Sequence, residues 1–335
     1  MNPAAKGSGP NTLGRWGEWK WLSALLPGLS RGLSRRVVLG PGDDAALLNL
    51  GGETWAITTD MLVEGVHFRT SWTSGEELGH KALAVNLSDL AAMGDVAPGF
   101  GVVSAGFPPP TPVSFLKGFY RGFAALARST GFDLVGGDTV RADRITVSVT
   151  ALGKVRPGNR VFRRDAFHPG DVLMVTGTLG DADAGLSIAE ARRPPRTADE
   201  RFLLKRFRRP APRLDAARRL ARAGVRAGLD SSDGLWRSVK ILCERSGVGA
   251  AVDVERLPVS PALRRWAGPG AFRRALTGGE DYELVVGASP STAGRLERLG
   301  WATAVGTVLP RASGVGLFKG KDKREAPAGF EHFDS

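Results

Sequence analysis

The stretch HKALAVNLSDLAAMG, residues 80–94, carries the strongest helical pattern in the sequence. Apolar residues three and four positions apart share one face of a helix. The pattern therefore predicts a helix over residues 76–93, with one apolar side formed by Leu78, Ala82, Val85 and Leu90.

Strands and helices alternate on both sides of this helix. Before it, two strands at 45–50 and 54–59 flank Gly51-Gly52, which is a hairpin signal. After it, the pattern predicts a strand at 99–106, a helix at 112–129, and strands at 132–136 and 144–152. A second cycle begins with a strand at 171–177. It continues with helices at 181–191, 200–207, 212–223 and 234–246, and with strands at 249–254, 282–287, 302–308 and 313–318. This alternation predicts an α/β fold class.

The length of 335 residues predicts two domains rather than one core. We expect a loose N-terminal tail at 1–14, an N-terminal domain at 15–153 and a C-terminal domain at 154–335. A single cysteine, Cys243, rules out an internal disulfide framework and a cysteine-based zinc site. The sequence has no signal-peptide pattern and no apolar run of the roughly 20 residues that a membrane span needs. We therefore expect a cytoplasmic protein with no membrane partner.

The net charge of +12 is concentrated in one segment. Residues 192–226 hold 13 basic and 3 acidic residues. Such a run can indicate nucleic-acid binding. However, Phe202, Leu203, Phe207, Leu214 and Leu220 recur at near-helical spacing within it. The spacing favours the solvated faces of amphipathic helices, and we expect no nucleic-acid partner.

Aspartates fall at predicted strand ends and turns, often beside glycine. They occur in Gly42-Asp43-Asp44, Thr58-Thr59-Asp60, Ser88-Asp89, Gly136-Gly137-Asp138-Thr139 and Asp230-Ser231-Ser232-Asp233-Gly234. Each one alone is explained as a turn or helix-capping residue. Together they suggest an Mg²⁺ site, because Mg²⁺ prefers hard oxygen ligands and phosphoryl transfer from ATP requires it. The sequence has no G-x-x-x-x-G-K-[ST] phosphate loop, so any ATP site is of another kind.

Six motifs resemble those of thiamine-monophosphate kinases, in the same order along the chain. They are TTDMLVEGVHF at 58–68, HKALAVNLSDLAAMG at 80–94, GGDT at 136–139, VTGTLGDADAGL at 175–186, LDSSDGL at 229–235 and TGGEDYELV at 277–285. The resemblance implies a two-domain fold like that of aminoimidazole ribonucleotide synthetase, with N-terminal sheets pairing across a homodimer. It also implies ATP-dependent phosphorylation of thiamine monophosphate to thiamine diphosphate with several Mg²⁺ ions.

The same resemblance implies roles for individual residues. The implied magnesium ligands are Asp44, Thr58, Thr59, Asp60, Asp89, Asp138, Asp230 and Asp233. The implied ATP contacts are Tyr120, Gly137, Asp138, Arg164 and Ser232. The implied contacts to thiamine monophosphate are His67, Glu280 and Phe330. No candidate nucleophile lies beside a base in these motifs, so we expect direct in-line transfer.

Fold relatives with other ATP chemistries remain as alternatives: a hydrogenase-maturation dehydratase, selenophosphate synthetase or aminoimidazole ribonucleotide synthetase itself. Selenophosphate synthetase requires a reactive thiol near its N-terminus, and the hydrogenase-maturation dehydratase requires a C-terminal cysteine. Cys243 satisfies neither requirement, so the kinase is favoured.

Overall fold

The computed structural model describes residues 21–22, 24–28, 30–158, 161–320 and 322–324. Residues 21–22 and 24–28 are helical, and the chain then enters a six-stranded sheet. Its strands are β1 (Val37–Leu39), β2 (Ala46–Leu50), β3 (Glu53–Val63), β4 (Val96–Phe107), β5 (Asp133–Arg141) and β6 (Thr146–Val155). The strand order is β1-β2-β3-β6-β4-β5, and β4 and β5 are the one parallel pair of this sheet.

Two helices, α1 (Gly75–Ala92) and α2 (Val113–Thr130), pack together beside this sheet. A capping box starts α1, in which Glu77 N donates to the Ser74 hydroxyl (3.2 Å) and Ser74 N donates to the Glu77 carboxylate (2.8 Å). The two helices approach very closely at Gly79, where a Cβ atom would lie 1.9 Å from the carbonyl oxygen of Phe119. A larger residue at position 79 would therefore push the helices apart.

The second sheet has seven strands in the order β13-β12-β9-β11-β7-β10-β8. Its strands are β7 (Val172–Val175), β8 (Ala227–Asp230), β9 (Gly249–Asp253), β10 (Leu284–Ala288), β11 (Thr303–Leu309), β12 (Val315–Lys319) and β13 (Asp322–Arg324). The accompanying helices are α3 (Asp181–Glu190), α4 (Ala198–Arg208), α5 (Leu214–Arg222), α6 (Leu235–Ser246), α7 (Pro261–Ala267), α8 (Ala271–Thr277) and α9 (Pro290–Arg298).

Helix α1 joins the two halves of the molecule. It packs against α2, β3 and β6 on its own side, and against α5 and β8 of the second half. Most of its residues are buried, including the polar residues Lys81, Asn86 and Ser88. Each half also has its own apolar core. Residues on α1 therefore reach the region where the two sheets meet.

The predicted α/β class is confirmed, with differences at short elements. The strands β1, β8 and β13 and the helices α7, α8 and α9 were not predicted. Strand β8 has only four residues, too few for a clear pattern. Helix α9 does carry a start signal in the sequence, because Ser289 caps it and Pro290 occupies its first turn.

Within the part of the chain that the structure describes, no element covers one face of the first sheet. Its strands expose apolar side chains on that face, among them Phe100 (40% exposed) and Val102 (39% exposed). Among the described residues, no helix is long and apolar enough to cross a bilayer.

Candidate active site

A cleft of about 580 Å³ opens where the two halves meet. It is bordered by the turn before β2, by β3, by the last turn of α1, by the loop after β8 and by the turn after α8. Its lining is strongly acidic, with two arginines, Arg69 and Arg164, against nine carboxylates: Asp43, Asp44, Asp60, Asp89, Asp183, Glu190, Asp230, Asp233 and Glu280. The cleft therefore favours cations.

Three of these carboxylates form a compact group. Asp44, Asp89 and Asp230 each offer an oxygen, and the three oxygens lie within 4.8 Å of one another. Asp44 precedes β2, Asp89 lies in the last turn of α1, and Asp230 ends β8. The group is thus assembled from both halves of the molecule.

Hydrogen bonds from neighbouring side chains hold the group in place. The Thr58 hydroxyl donates to Asp89 Oδ2 (2.5 Å), and the Ser88 hydroxyl donates to Asp230 Oδ2 (2.5 Å). The amide oxygen of Asn86 accepts a hydrogen bond from the backbone N–H of Asp60 (3.0 Å). Thr58 is therefore placed beside Asp89 of the carboxylate group.

Burial and mutual repulsion raise the pKa values of the acidic side chains. Burial, and then the charges of Asp44 and Asp233, raise the pKa of Asp60 to about 6. Burial and the charge of Asp44 raise the pKa of Asp230 to about 7. Burial and the charge of Asp60 raise the pKa of Asp89 well above its usual range. Without a cation, these side chains resist ionisation.

Arg164 provides part of the compensating charge. Its guanidinium donates two hydrogen bonds to Asp44 (2.8 and 3.2 Å), and its backbone N–H donates to Asp43 Oδ1 (2.6 Å). Burial by itself would lower the pKa of Arg164, but the charge and hydrogen bond of Asp44 outweigh it and the pKa is raised. Arg164 therefore fastens the segment between the sheets onto the acidic cleft.

The donor set fits Mg²⁺. The group consists of carboxylates, with a threonine hydroxyl next to it, and such hard oxygens are the ligands Mg²⁺ prefers. One guanidinium does not balance this many buried carboxylates, and a bound divalent cation would lower the cost of ionising them. Asp233 adds a further carboxylate. It does not cap α6, because Gly234 is the N-cap residue there, and it pairs with Arg237 (3.3 Å).

The described residues predicted to contact the substrate also line this cleft. His67 Nδ1 accepts a hydrogen bond from the backbone N–H of Val63 (3.0 Å). Glu280 lies in the turn after α8, where its backbone N–H donates to the carbonyl oxygen of Ser232 (2.7 Å). The structure thus brings His67, Ser232 and Glu280 into one cleft with the carboxylates.

Thr59 is placed differently from its neighbours. Side chains alternate along a strand, so Thr58 and Thr59 point to opposite faces of the sheet. The Thr59 hydroxyl donates to the carbonyl oxygen of Val149 (3.1 Å) and lies 3.3 Å from the Ser148 hydroxyl. Its hydroxyl therefore points away from the Asp44–Asp89–Asp230 group, although Thr59 itself still borders the cleft.

The predicted sites on β5 and α2 are also separate from the group. Asp60 on β3 lies opposite Val149 on β6, which lies opposite Val103 on β4, which in turn lies opposite Gly137 on β5. Asp60 and Gly137 are therefore three strands apart. Three strand spacings amount to roughly 14 Å. Two ligands of one Mg²⁺ ion lie within roughly 4 Å of each other, so Asp138, next to Gly137, cannot share an ion with Asp60 of the same chain.

Tyr120 lines a second cavity, on the outer side of α2. This cavity of about 400 Å³ is also lined by Phe123, Phe132 and Leu134. Tyr120 is 42% exposed, and its ring meets Phe119 edge to face. Phe330 lies outside the described residues. The roles assigned to Tyr120, Gly137, Asp138, Thr59 and Phe330 remain predictions from the resemblance.

Two residues of the site were given no individual role from the sequence, although Asp43 belongs to one of the aspartate motifs. Asp43 lies beside Asp44 and holds the backbone of Arg164. Lys81 is buried on α1 and its Nζ lies 2.6 Å from Glu280 Oε1. The sequence did carry a signal for Lys81. It falls three residues after Leu78 and four before Val85, on the predicted apolar side of the helix.

The basic run 192–226 forms α4, α5 and their flanks. Of the five apolar residues predicted to share a buried face, Leu203, Phe207 and Leu220 are buried and Leu214 is half-buried, whereas Phe202 is 41% exposed, contrary to the prediction. Several of its arginines pair with carboxylates. The pairs that cross between the halves are Arg208–Glu77 (3.4 Å), Arg209–Glu76 (2.5 Å) and Arg222–Asp95 (3.5 Å). Arg206 and Arg213 pair with the fully buried Glu283. Much of the excess charge therefore has internal partners.

Comparisons with known proteins agree with this architecture. The family described as AIR synthase related protein, N-terminal domain, matches residues 42–155, and the corresponding C-terminal domain matches residues 168–317. The chain is 36% identical over 340 residues to a thiamine-monophosphate kinase of Synechococcus elongatus, covering 96% of this chain and 97% of the relative.

Solved structures show the same fold. The structure described as AaThiL complexed with AMPPCP and TMP superposes with a TM-score of 0.86 at 30% identity, covering 97% of this chain and all of that chain. The hydrogenase maturation protein HypE of Escherichia coli superposes with a TM-score of 0.68 at 22% identity, covering 93% of this chain and 99% of that chain. The second likeness is one of fold alone.

Proposed function

This chain belongs to the thiamine-monophosphate kinase family, and from that premise we propose that its phosphoryl transfer takes place in the acidic cleft between the two sheets. It is a kinase that phosphorylates thiamine monophosphate with ATP. The observation that carries the proposal is the group formed by Asp44, Asp89 and Asp230, whose oxygens lie within 4.8 Å of one another.

Magnesium ions would be held by the carboxylates of the cleft. Asp44, Asp89 and Asp230 form the core of the site, and Asp60, Asp233 and the Thr58 hydroxyl lie around it. Bound Mg²⁺ supplies positive charge that neutralises the phosphate oxygens of ATP. Arg164, anchored by Asp43 and Asp44, adds a fixed cation that can meet a phosphate.

Transfer would be direct, from ATP to the phosphate of the substrate. The one thiol, Cys243, is buried on α6, and burial raises its pKa to about 11, so it stays protonated and unreactive. His67 Nδ1 is engaged by a backbone N–H and does not activate a serine there. The cleft therefore contributes positioning and electrostatic stabilisation rather than a covalent intermediate.

The substrate would occupy the part of the cleft near Glu280. Thiamine monophosphate carries a cationic thiazolium and a flat pyrimidine. The Glu280 carboxylate supplies a negative charge for the cation, and His67 and Trp72 line the same cleft. This arrangement leaves the phosphate end free to face the carboxylate group and its metals.

A second copy of the chain would complete the ATP site. Strand β5, which carries Gly137 and Asp138, is exposed along its whole length at the edge of the sheet. The Thr59 hydroxyl lies on the uncovered face of the same sheet. We infer a homodimer formed through this face, which would let Asp138 and Tyr120 act beside a partner's cleft.

The test is an acceptor assay. Purified protein is incubated with ATP and Mg²⁺ and, in separate reactions, with thiamine monophosphate, free thiamine or the aminoimidazole precursor. Mass spectrometry should find added phosphate on thiamine monophosphate alone. Asp230→Asn, which keeps the side-chain shape, is the matched control and should abolish most of the product. Phosphate transfer to another acceptor would refute the substrate, and full activity of this variant would remove the cleft from the reaction.

A further inference from the structure

Lys81 is a buried charge that the roles assigned above do not use. It lies in the middle of α1 and is 1% exposed, among the largest fully buried side chains described. A buried ammonium is costly unless an opposite charge accompanies it. The identity of its partner therefore indicates what the lysine does.

That partner belongs to the other half of the molecule. Lys81 Nζ lies 2.6 Å from Glu280 Oε1 and 4.3 Å from the centre of the Phe207 ring. Among the described residues, Glu280 is the one carboxylate paired with Lys81, and the ammonium makes no well-aligned hydrogen bond. Both Glu280 and Phe207 line the cleft, whereas Lys81 lies behind them.

The backbone at Glu280 adopts an unfavourable conformation. Glu280 has a φ angle of +66° and Tyr282 one of +52°, a region that side-chain-bearing residues rarely occupy. Such positions persist when surrounding contacts hold them. Here the carbonyl oxygens of Ser232 and Ser231 accept hydrogen bonds from Glu280 N (2.7 Å) and Tyr282 N (3.2 Å). The turn is therefore anchored by its backbone, and the Glu280 side chain by Lys81.

We propose that Lys81 is a positioning residue for substrate binding, which holds the Glu280 carboxylate on the wall of the cleft where it meets the cationic part of thiamine monophosphate. This inference rests on the proposed function, because it requires Glu280 to contact the substrate. Glu280 is one-quarter exposed, so it reaches both the buried ammonium and the cleft. Without Lys81 the carboxylate would lose its fixed orientation.

The location of the pair favours positioning over stability. Apolar residues often replace a buried ion pair at no loss of stability, so the pair is weak evidence for a stabilising role. This pair also joins α1, which carries Asp89, to the turn that carries Glu280. Lys81 thus fixes the distance between the carboxylate group and the substrate end of the cleft.

A double-mutant cycle tests the proposal. Lys81→Met, Glu280→Gln and the double variant are compared for kcat and for KM of each substrate. We expect each single variant to raise KM for thiamine monophosphate about tenfold and to leave KM for ATP within about twofold. Because Lys81 acts through Glu280, the double variant should be no worse than Glu280→Gln alone. The double variant also removes both buried charges, so it is informative even if Lys81→Met folds poorly.

Arg208→Met is the matched control. Arg208 also joins the two halves, through Glu77 on α1, but it does not line the cleft, and its loss should leave KM for thiamine monophosphate unchanged. If Glu280→Gln binds substrate normally, the proposed role of Glu280 fails and this inference fails with it. The role of Lys81 alone is overturned if Glu280→Gln raises KM for thiamine monophosphate but Lys81→Met does not. It is also overturned if the increases in KM of the two single variants multiply in the double variant.

Discussion

At the scale of single residues, the acidic cleft is unfavourable for the metal-free chain. Asp60, Asp89 and Asp230 all have raised pKa values, with burial the largest cause in each case. Crowded carboxylates with raised pKa values are typical of functional sites, where a bound ligand supplies the positive charge that balances them. The hydroxyls of Thr58 and Ser88 orient two of these carboxylates rather than neutralising them.

Replacing Asp230 by Asn should sharply reduce turnover. The change keeps the shape and removes one charge from the metal–phosphate centre, so we expect kcat to fall by about 10² or more. Steady-state kinetics over a range of Mg²⁺ concentrations measure this. Asp199→Asn is the control. Asp199 pairs with Arg265 outside the cleft, so this substitution should leave kcat unchanged. Turnover close to normal in Asp230→Asn at ordinary Mg²⁺ would exclude the residue from the site.

The same variant should be more stable than the parent protein when metal is absent. The pKa of Asp230 is about 7 in the folded protein and about 4 when unfolded, so between these values the folded state binds more protons. The contribution of Asp230 to stability therefore falls as pH rises from about 4 to 7. In EDTA at pH 8, the free energy of unfolding of Asp230→Asn should exceed that of the parent protein by on the order of a few kcal/mol. Near pH 4 the two proteins should be equally stable.

Urea unfolding of both proteins at the two pH values measures this difference. Adding Mg²⁺ at pH 8 should stabilise the parent protein more than Asp230→Asn, because a ligand that binds the folded state stabilises it. An advantage for Asp230→Asn that is equal at pH 4 and pH 8 would contradict the ionisation argument.

At the scale of elements, α1 organises the site. It carries Asp89 of the carboxylate group and Ser88, whose hydroxyl donates to Asp230. It also carries Asn86, which accepts a hydrogen bond from the backbone of β3, and Lys81, which pairs with Glu280. Its first turn meets the end of α4, in the middle of the basic run, where Arg208 and Arg209 pair with Glu77 and Glu76. The run thus helps to hold the two halves together around the helix.

Replacing both arginines by methionine should loosen this contact modestly. Ion pairs at the protein surface contribute little, so the double variant should show only a small fall in its urea midpoint. Salt screens such pairs, so the loss should shrink in 1 M NaCl. Urea unfolding at low and high salt checks both points. A loss that is independent of salt would mean that packing of the long side chains dominates.

At the scale of the whole molecule, the uncovered face of the first sheet predicts association. Val102 lies on this face, and a charge there should disrupt a two-fold interface. We expect light scattering to show a dimer at micromolar concentration for the parent protein and a monomer for Val102→Lys. Leu299→Lys, at an exposed apolar position of the second half, should remain dimeric. A monomeric parent protein would refute the dimer.

Local sequence patterns determined much of the fold. The spacing of Leu78, Ala82, Val85 and Leu90 predicts α1, since helix periodicity depends only on neighbours along the chain. Motifs predicted the family as well, and the comparisons confirm it. The same local patterns were insufficient for β8 and α7, which are short and depend on packing for their stability.

Which residues meet was decided by the tertiary structure. Asp44, Asp89 and Asp230 are far apart along the chain, and from the sequence each alone is better explained as a turn or cap residue. Their proximity follows from the packing of α1 between the two sheets, a long-range arrangement that no local pattern contains. The same packing buries Lys81 against Glu280 and, through three strand spacings, keeps Asp138 away from Asp60. The sequence determined the kinds of side chain available for chemistry, and the fold determined their distances and charges, because electrostatic interactions depend on separation and burial.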